Sequence, residues 1–220
     1  YLWPLGDSNT QGHDVPGGYR LPLYQLLTNA GVNAAFVGNA NDNPATGLPY
    51  PNHDGYGGYE IGDIASSVPT WLSGIHAPDY VLLMIGLNDF RHNNDILNAT
   101  NRLESLIVTI ANTAPSAKII VADMNPWTNL GATNAAMDLY YNPYIPGVVA
   151  RQAALGCKVY LADMRSPTLT ASDLGADNTH FNQTGYNKIG TNWSGIVSSL
   201  IQGRPLPPPK PRVVAVAVAP

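Results

Sequence analysis

Hydrophobic positions along the chain fall into two alternating patterns. Five short, nearly continuous apolar runs, Leu2–Leu5, Ala34–Val37, Tyr80–Ile85, Ile119–Ala122 and Val159–Ala162, have the length and content of strands buried on both faces. Between them, apolar residues recur at helical spacing. Tyr19–Ala30 carries Leu23, Leu26 and Leu27 on one face, and Ile61, Ile64, Ala65 and Val68 form a second helix that Pro69 interrupts. Asp95–Thr113 keeps Leu103, Leu106, Ile107 and Ile110 in phase until Pro115 stops it. Gly131–Leu155 reads as helix with a break around Pro143–Pro146. Thr184–Gln202 turns Ile189, Trp193, Ile196, Val197 and Leu200 inward, with Gly203 just past its end. Strands and helices alternating in this way predict an α/β fold, a three-layer α/β/α sandwich around a five-stranded parallel sheet.

Beyond Gly203 the pattern ends. Arg204–Arg212 is proline-rich and predicts extended polyproline II, and Val213–Val218 alternates Val with Ala. The chain therefore divides into a folded domain, 1–203, and a tail, 204–220. The tail reads as a linker stub or an added extension, or as an arm that contacts a neighbouring molecule.

Composition narrows the classes of function. With 45% apolar and 12% charged residues over 220, the chain is a globular protein with long, polar, uncharged loops. Its net charge is −4, and the tail holds three basic residues and no acid, so the body carries eight basic against fifteen acidic residues. An acidic body without a basic cluster excludes nucleic acid and anionic membrane surfaces as partners. The longest apolar runs are too short to span a bilayer. The one cysteine, Cys157, allows no intramolecular disulfide and reads as a small buried hydrophobe. Sequons at Asn98, Asn182 and Asn192 point to a secreted protein, and a start at Tyr1 with no signal segment fits a mature, processed product and a trimmed chain equally.

In an open parallel sheet, reactive groups gather at the carboxyl ends of the strands, near the switch between the first and third. Four loops qualify. Gly6-Asp7-Ser8-Asn9-Thr10-Gln11-Gly12 follows the first strand, and Ser8 there is either a helix cap or an exposed nucleophile whose own amide faces an incoming carbonyl. His53-Asp54-Gly55-Tyr56-Gly57-Gly58-Tyr59 follows the second, and its glycines are either plain loop or let a backbone N–H reach an oxyanion. Met84-Ile85-Gly86-Leu87-Asn88-Asp89 follows the third, where Asn88 is a turn residue or a donor that never titrates. Asp177-Asn178-Thr179-His180 precedes the last helix, and an Asp three residues before a His can hold the imidazole and fix its tautomer. Each loop alone is a weak signal; all four in this order are a strong one.

This set resembles the SGNH hydrolases, or GDSL-type esterases, whose Ser, Gly, Asn and His match Ser8, Gly58, Asn88 and His180. Gly6-Asp7-Ser8-x-Thr10, Gly17-Gly18-Tyr19-Arg20, His53-Asp54-Gly55-x-x-Gly58 and Asp177-x-x-His180 are similar to carbohydrate esterase family 3, whose activity is acetylxylan esterase. The similarity covers about residues 1–202; Asn9 and Leu87 depart from the usual aliphatic residue and Thr.

The resemblance implies strand order 2-1-3-4-5 and a secreted serine esterase. Ser8 is then the nucleophile, His180 the base and Asp177 its orienting acid, with an oxyanion hole from Ser8, Gly58 and Asn88. The expected substrate is an acetylated polysaccharide or oligosaccharide, acetylxylan above all, deacetylated through an acetyl-enzyme. No metal or other cofactor is required; a structural Ca²⁺ would suit the Asp- and Asn-rich loops, but no ligand spacing specifies one. Tyr56, Tyr59, Phe90 and Trp127 are candidates for a substrate face. His53, beside Asp54, is a weak rival base, while His13, His76 and His92 read as surface histidines, and Asp7 and Asp89 as loop ties. Two other functions fit the pattern: a lipid-directed esterase or lysophospholipase on the same scaffold, and a non-catalytic carbohydrate-binding protein with a vestigial site.

Overall fold

A computed structural model describes residues 1–123, 131–165 and 169–206. Trp127 and the tail beyond Leu206 lie outside the described residues. Strand β1 (Leu2–Asp7) runs directly into the short helix α1 (Ser8–Gln11), followed by α2 (Arg20–Asn29). Then come β2 (Asp54–Tyr56), α3 (Ile61–Gly74), β3 (Tyr80–Met84), α4 (Leu87–Arg91), α5 (Ala99–Thr113) and β4 (Lys118–Ala122). The described elements end with α6 (Gly131–Tyr140), α7 (Ile145–Ala154), β5 (Val159–Ala162) and α8 (Gln183–Ile201). The sheet is parallel throughout, in the order β2-β1-β3-β4-β5.

Helices on both faces explain why the strands are nearly continuous apolar runs. α2 packs against α8, and α5 against both α3 and α7. Trp3, Leu5, Leu82 and Ile120 lose all contact with solvent between these layers. The α5 stripe of Leu103, Leu106, Ile107 and Ile110 is fully buried as the spacing predicts. Burial of each such side chain stabilises the fold by about 1.5–3 kcal/mol.

Three expectations need correction. The second strand is not Ala34–Val37. That run touches only the start of β1, through Leu2 N–H to Ala35 O and Val37 N–H to Leu2 O at 2.9 Å each. The chain then loops away and returns as Asp54-Gly55-Tyr56, which pairs with Leu5–Asp7. Asp54 is tolerated inside because Trp3 Nε1, Asn39 and Tyr56 Oη donate to its carboxylate. Pro69 does not interrupt α3, which continues to Gly74. The ring sits on the solvent side, so it costs one intrahelical bond, while Trp71 and Leu72 in the next turn rest on the core. Cys157 is half-buried rather than buried, with its Sγ facing Gln152 Oε1 at 3.7 Å.

Of the sequons, Asn98 is exposed. Asn182 is spent on capping α8 and bonding Ser172 O and Leu174 O, and the Asn192 Nδ2 is buried. No described helix is long and apolar enough to cross a membrane.

Register decides where the loops emerge. Gly6 lies beside Gly55 in β2 and beside Met84 in β3, so α1, the Gly57-Gly58 turn and α4 all leave the sheet at one edge. The backbone of α1 lies so close to β2 that a Cβ on Gly55 would stand 2.5 Å from Gln11 N and 2.7 Å from Thr10 C. Gly55→Ala is therefore expected to destabilise the chain by about 1–3 kcal/mol, because either β2 or the backbone that carries Ser8 must shift. Thermal melts test this; an unchanged melting temperature would contradict it.

Candidate active site

The corner after β1 presents the serine. Asp7 caps α1 in extended conformation, its Oδ1 accepting from Asn9 N–H at 2.9 Å, so Ser8 is the first helical residue. An amide at this position has no partner within its own helix. Ser8 is 6% exposed and its Oγ is 2.9 Å from His180 Nε2.

His180 is held from behind. Its Nδ1 meets Asp177 Oδ2 at 2.5 Å, while Asp177 Oδ1 accepts from the amides of Thr179 and His180 at 3.0 Å each. Asn178 takes the left-handed conformation that closes this turn, and Gly175 N–H bonds His180 O at 2.8 Å. Partial burial opposes the Asp177 charge, but the two amides and the imidazole outweigh it and hold the carboxyl down at about 2. An acid that is charged well above pH 2 favours the tautomer with the proton on Nδ1, which leaves the Nε2 lone pair to face the serine hydroxyl.

A second group stands at the β2 and β3 ends. Asn88, almost wholly buried in the first turn of α4, donates one Nδ2 hydrogen to Tyr59 O at 2.9 Å. Its amide has a second hydrogen to offer. Tyr59 N–H closes a turn on Tyr56 O at 3.2 Å, with Gly58 at φ +80° inside it. Next to Asn88, Asp89 accepts from Ile61 N–H at 3.1 Å and from Arg102 Nη2 at 2.8 Å, tying α3, α4 and α5 together.

The structure sorts the other candidates. Tyr56 and Tyr59 are half-buried and stack on each other and on Trp71, with centroids 4.9 to 6.4 Å apart. Phe90 is not on a substrate face: it is a core residue packed against Tyr141. His53 is no rival base, because it is fully buried between Asp42 and the Gly55 amide, and burial pushes its imidazole down to about 4. His76 stacks on Tyr1, and His92 bonds Glu60.

Two residues were missed. Trp71 continues the Ile61, Ile64, Val68 spacing, a signal hidden once Pro69 is taken as a stop. His13 is more than a surface histidine, for its ring stacks on His180 at 4.0 Å and 18°. Its nearness to Ser8 in sequence was a signal, but a stack across 167 residues was not readable.

Residues 5–188 match the GDSL-like Lipase/Acylhydrolase family. Among solved structures, the chain is similar to a family 3 carbohydrate esterase of Clostridium thermocellum, with a TM-score of 0.82 and 36% identity over 92% of this chain and 96% of that one. It is also similar to an acetyl esterase solved as a serine-to-alanine variant with an acetate ion, with a TM-score of 0.78 and 25% identity over 92% of this chain and 98% of the other. A multidomain esterase of Ruminococcus flavefaciens is 31% identical over 215 residues, 87% of this chain. The chain spans 28% of that protein's length and 55% of a second curated relative's.

Asp7 offers a test of the corner itself. Burial pushes its carboxyl up to about 7 despite hydrogen bonds from Asn9, and Asp89 adds to the rise. Between about pH 4 and pH 7 the folded chain keeps a proton that the unfolded chain has lost, so this group makes stability fall as pH rises. Asp7→Asn keeps an acceptor for Asn9 N–H and never ionises. Its stability relative to wild type is expected to improve by roughly 2–4 kcal/mol between pH 4 and pH 8. Denaturant titrations across that range check it; a pH-independent difference would refute the buried charge.

Proposed function

We propose that this chain, which belongs to the GDSL-like Lipase/Acylhydrolase family and is a carboxylic ester hydrolase of the carbohydrate esterase family 3 type, removes O-acetyl groups from plant cell-wall polysaccharide, acetylxylan above all. The observation that carries this reading is the unbroken hydrogen-bonded chain from Asp177 through His180 to Ser8.

Ser8 Oγ attacks the acetyl carbonyl while its proton passes to His180 Nε2. Asp177, charged at any pH well above 2, stabilises the imidazolium through Nδ1–H. The amides of Ser8 and Gly58 and the second Asn88 hydrogen balance the charge that develops on the carbonyl oxygen. Collapse returns the proton from His180 to the departing sugar oxygen and leaves the acetyl group on Ser8. Water, with His180 again as base, then releases acetate and restores the serine.

Two things favour a short acyl group on a sugar over a lipid ester. The acetyl esterase to which the chain is similar was solved with acetate. The loops that emerge from the sheet beside Ser8 carry polar and aromatic side chains, among them Gln11, Tyr56 and Tyr59. The exposed Asn98 sequon supports an extracellular setting. A non-catalytic binding role is set aside, since the chain is a hydrolase.

Acetate release from acetylated xylan, compared with acetylated pectin and chitin oligomers, measures the reaction. Ser8→Ala is expected to lower kcat by about 10³-fold or more, and Asn88→Ala by about 10²–10³-fold. On p-nitrophenyl esters the rate should fall from acetate to butyrate and beyond. A rate that climbs past butyrate favours the lipid-directed esterase and sinks the acetyl reading.

A further inference from the structure

His13 and Asp14, on the loop between α1 and α2, have no part in the steps above. The His13 ring lies on the His180 ring, and its Nδ1 pairs with Asp14 Oδ2 at 3.1 Å. Beside it, the His180 Nδ1 pairs with Asp177 Oδ2. Two imidazoles and two carboxylates therefore each offer a ligand atom within 4.8 Å of all the others. His13 and Asp14 side chains are 46% and 66% exposed, so an ion can arrive from solvent. Their loop is held in place: Asn43 Nδ2 donates to Gly12 O and Val15 O, and Gly17 N–H bonds Asn43 O at 2.8 Å. Asp14 adopts the left-handed backbone that Asp tolerates better than most residues.

We propose that His13, Asp14, Asp177 and His180 form a site for one zinc-class divalent cation, and that filling it switches the esterase off. Two nitrogens and two carboxylate oxygens suit a tetrahedral zinc-like ion, whereas Ca²⁺ and Mg²⁺ take oxygen ligands in larger number. Ligand atoms about such an ion stand roughly 3.4 Å apart, so the widest separations must close, which rotation of the exposed Asp14 and His13 side chains supplies, while the short His180–Asp177 contact must open to admit the ion.

The cation takes the His180 Nδ1 lone pair in place of the proton shared with Asp177. That proton leaves to solvent, and Nε2 takes one up from water, so the ring stays neutral. Nε2–H then donates to Ser8 instead of accepting its proton, and Asp177 is lost as the orienting acid. The inhibitory half rests on His180 being the base; the binding half does not.

Calorimetry with zinc chloride, run beside acetate release, separates the two. Wild type is expected to bind one zinc per chain, to lose more than tenfold of its rate at saturation, and to recover with EDTA. His13→Ala/Asp14→Asn, scored against its own metal-free rate, should weaken binding and inhibition by more than about tenfold, since even partners one step removed from a metal cost that much. Ser8→Ala should bind zinc like wild type. Equal binding and inhibition in the double variant, or no binding to wild type, would overturn the site. If zinc binds and the double variant loses it, but no acetate is released without metal, the site holds and the proposed reaction fails.

Discussion

Gly6 and Gly55 lie side by side where β1 meets β2, and the neighbouring backbone comes closer there than any side chain permits. A Cβ on Gly6 would stand 2.1 Å from Met84 O, and one on Gly55 2.5 Å from Gln11 N. This tight junction lets β1 turn into α1 within one residue, so Ser8 is fixed by the sheet rather than by a free loop. The rest of the edge is built around that corner. β2 must end at Tyr56 for the Gly57-Gly58 turn to emerge, and β3 at Met84 for Asn88 to reach it. Groups held on rigid elements keep the geometry that proton transfer needs.

Four aspartates near this edge divide into two kinds. Asp7, Asp54 and Asp89 are fully buried, and burial is the first cause of their raised carboxyls. They serve as anchors: Asp7 for α1, Asp54 for Trp3, Asn39 and Tyr56, and Asp89 for the start of α3 and Arg102. Asp177 is partly open to solvent, and its hydrogen bonds drive its carboxyl the other way. All four have hydrogen-bond donors; what separates them is burial, which outweighs the donors at the three anchors and is outweighed by them at Asp177, the acid that pairs with His180.

Most of the sandwich was legible because buried parallel strands and one-sided helices leave strong apolar patterns; β1, β3, β4, β5 and α5 lie where their runs predicted, within a few residues. β2 was not legible, since three residues reading Asp-Gly-Tyr carry no apolar run and owe their burial to partners distant in sequence. Ala34–Val37 misled for the opposite reason: it is apolar and buried, yet it pairs through a single bridge. At the site, Ser8, Asp177 and His180 could be named because their loops carry motifs, and the structure joins them by hydrogen bonds. Phe90 was misplaced because an aromatic beside Asn88 reads alike in a wall or a core. The His13–His180 stack depends on how the loop after α1 folds back, which no local pattern encodes.

In the proposed reaction Ser8 carries the acyl group during turnover. The most direct measurement is mass spectrometry of the chain quenched in acid while it hydrolyses an acetyl ester. One added acetyl group is expected on the peptide that contains Ser8, and none in Ser8→Ala. An unmodified Ser8 peptide under conditions where deacylation limits the rate, or an acetyl group carried by a different residue, would contradict it.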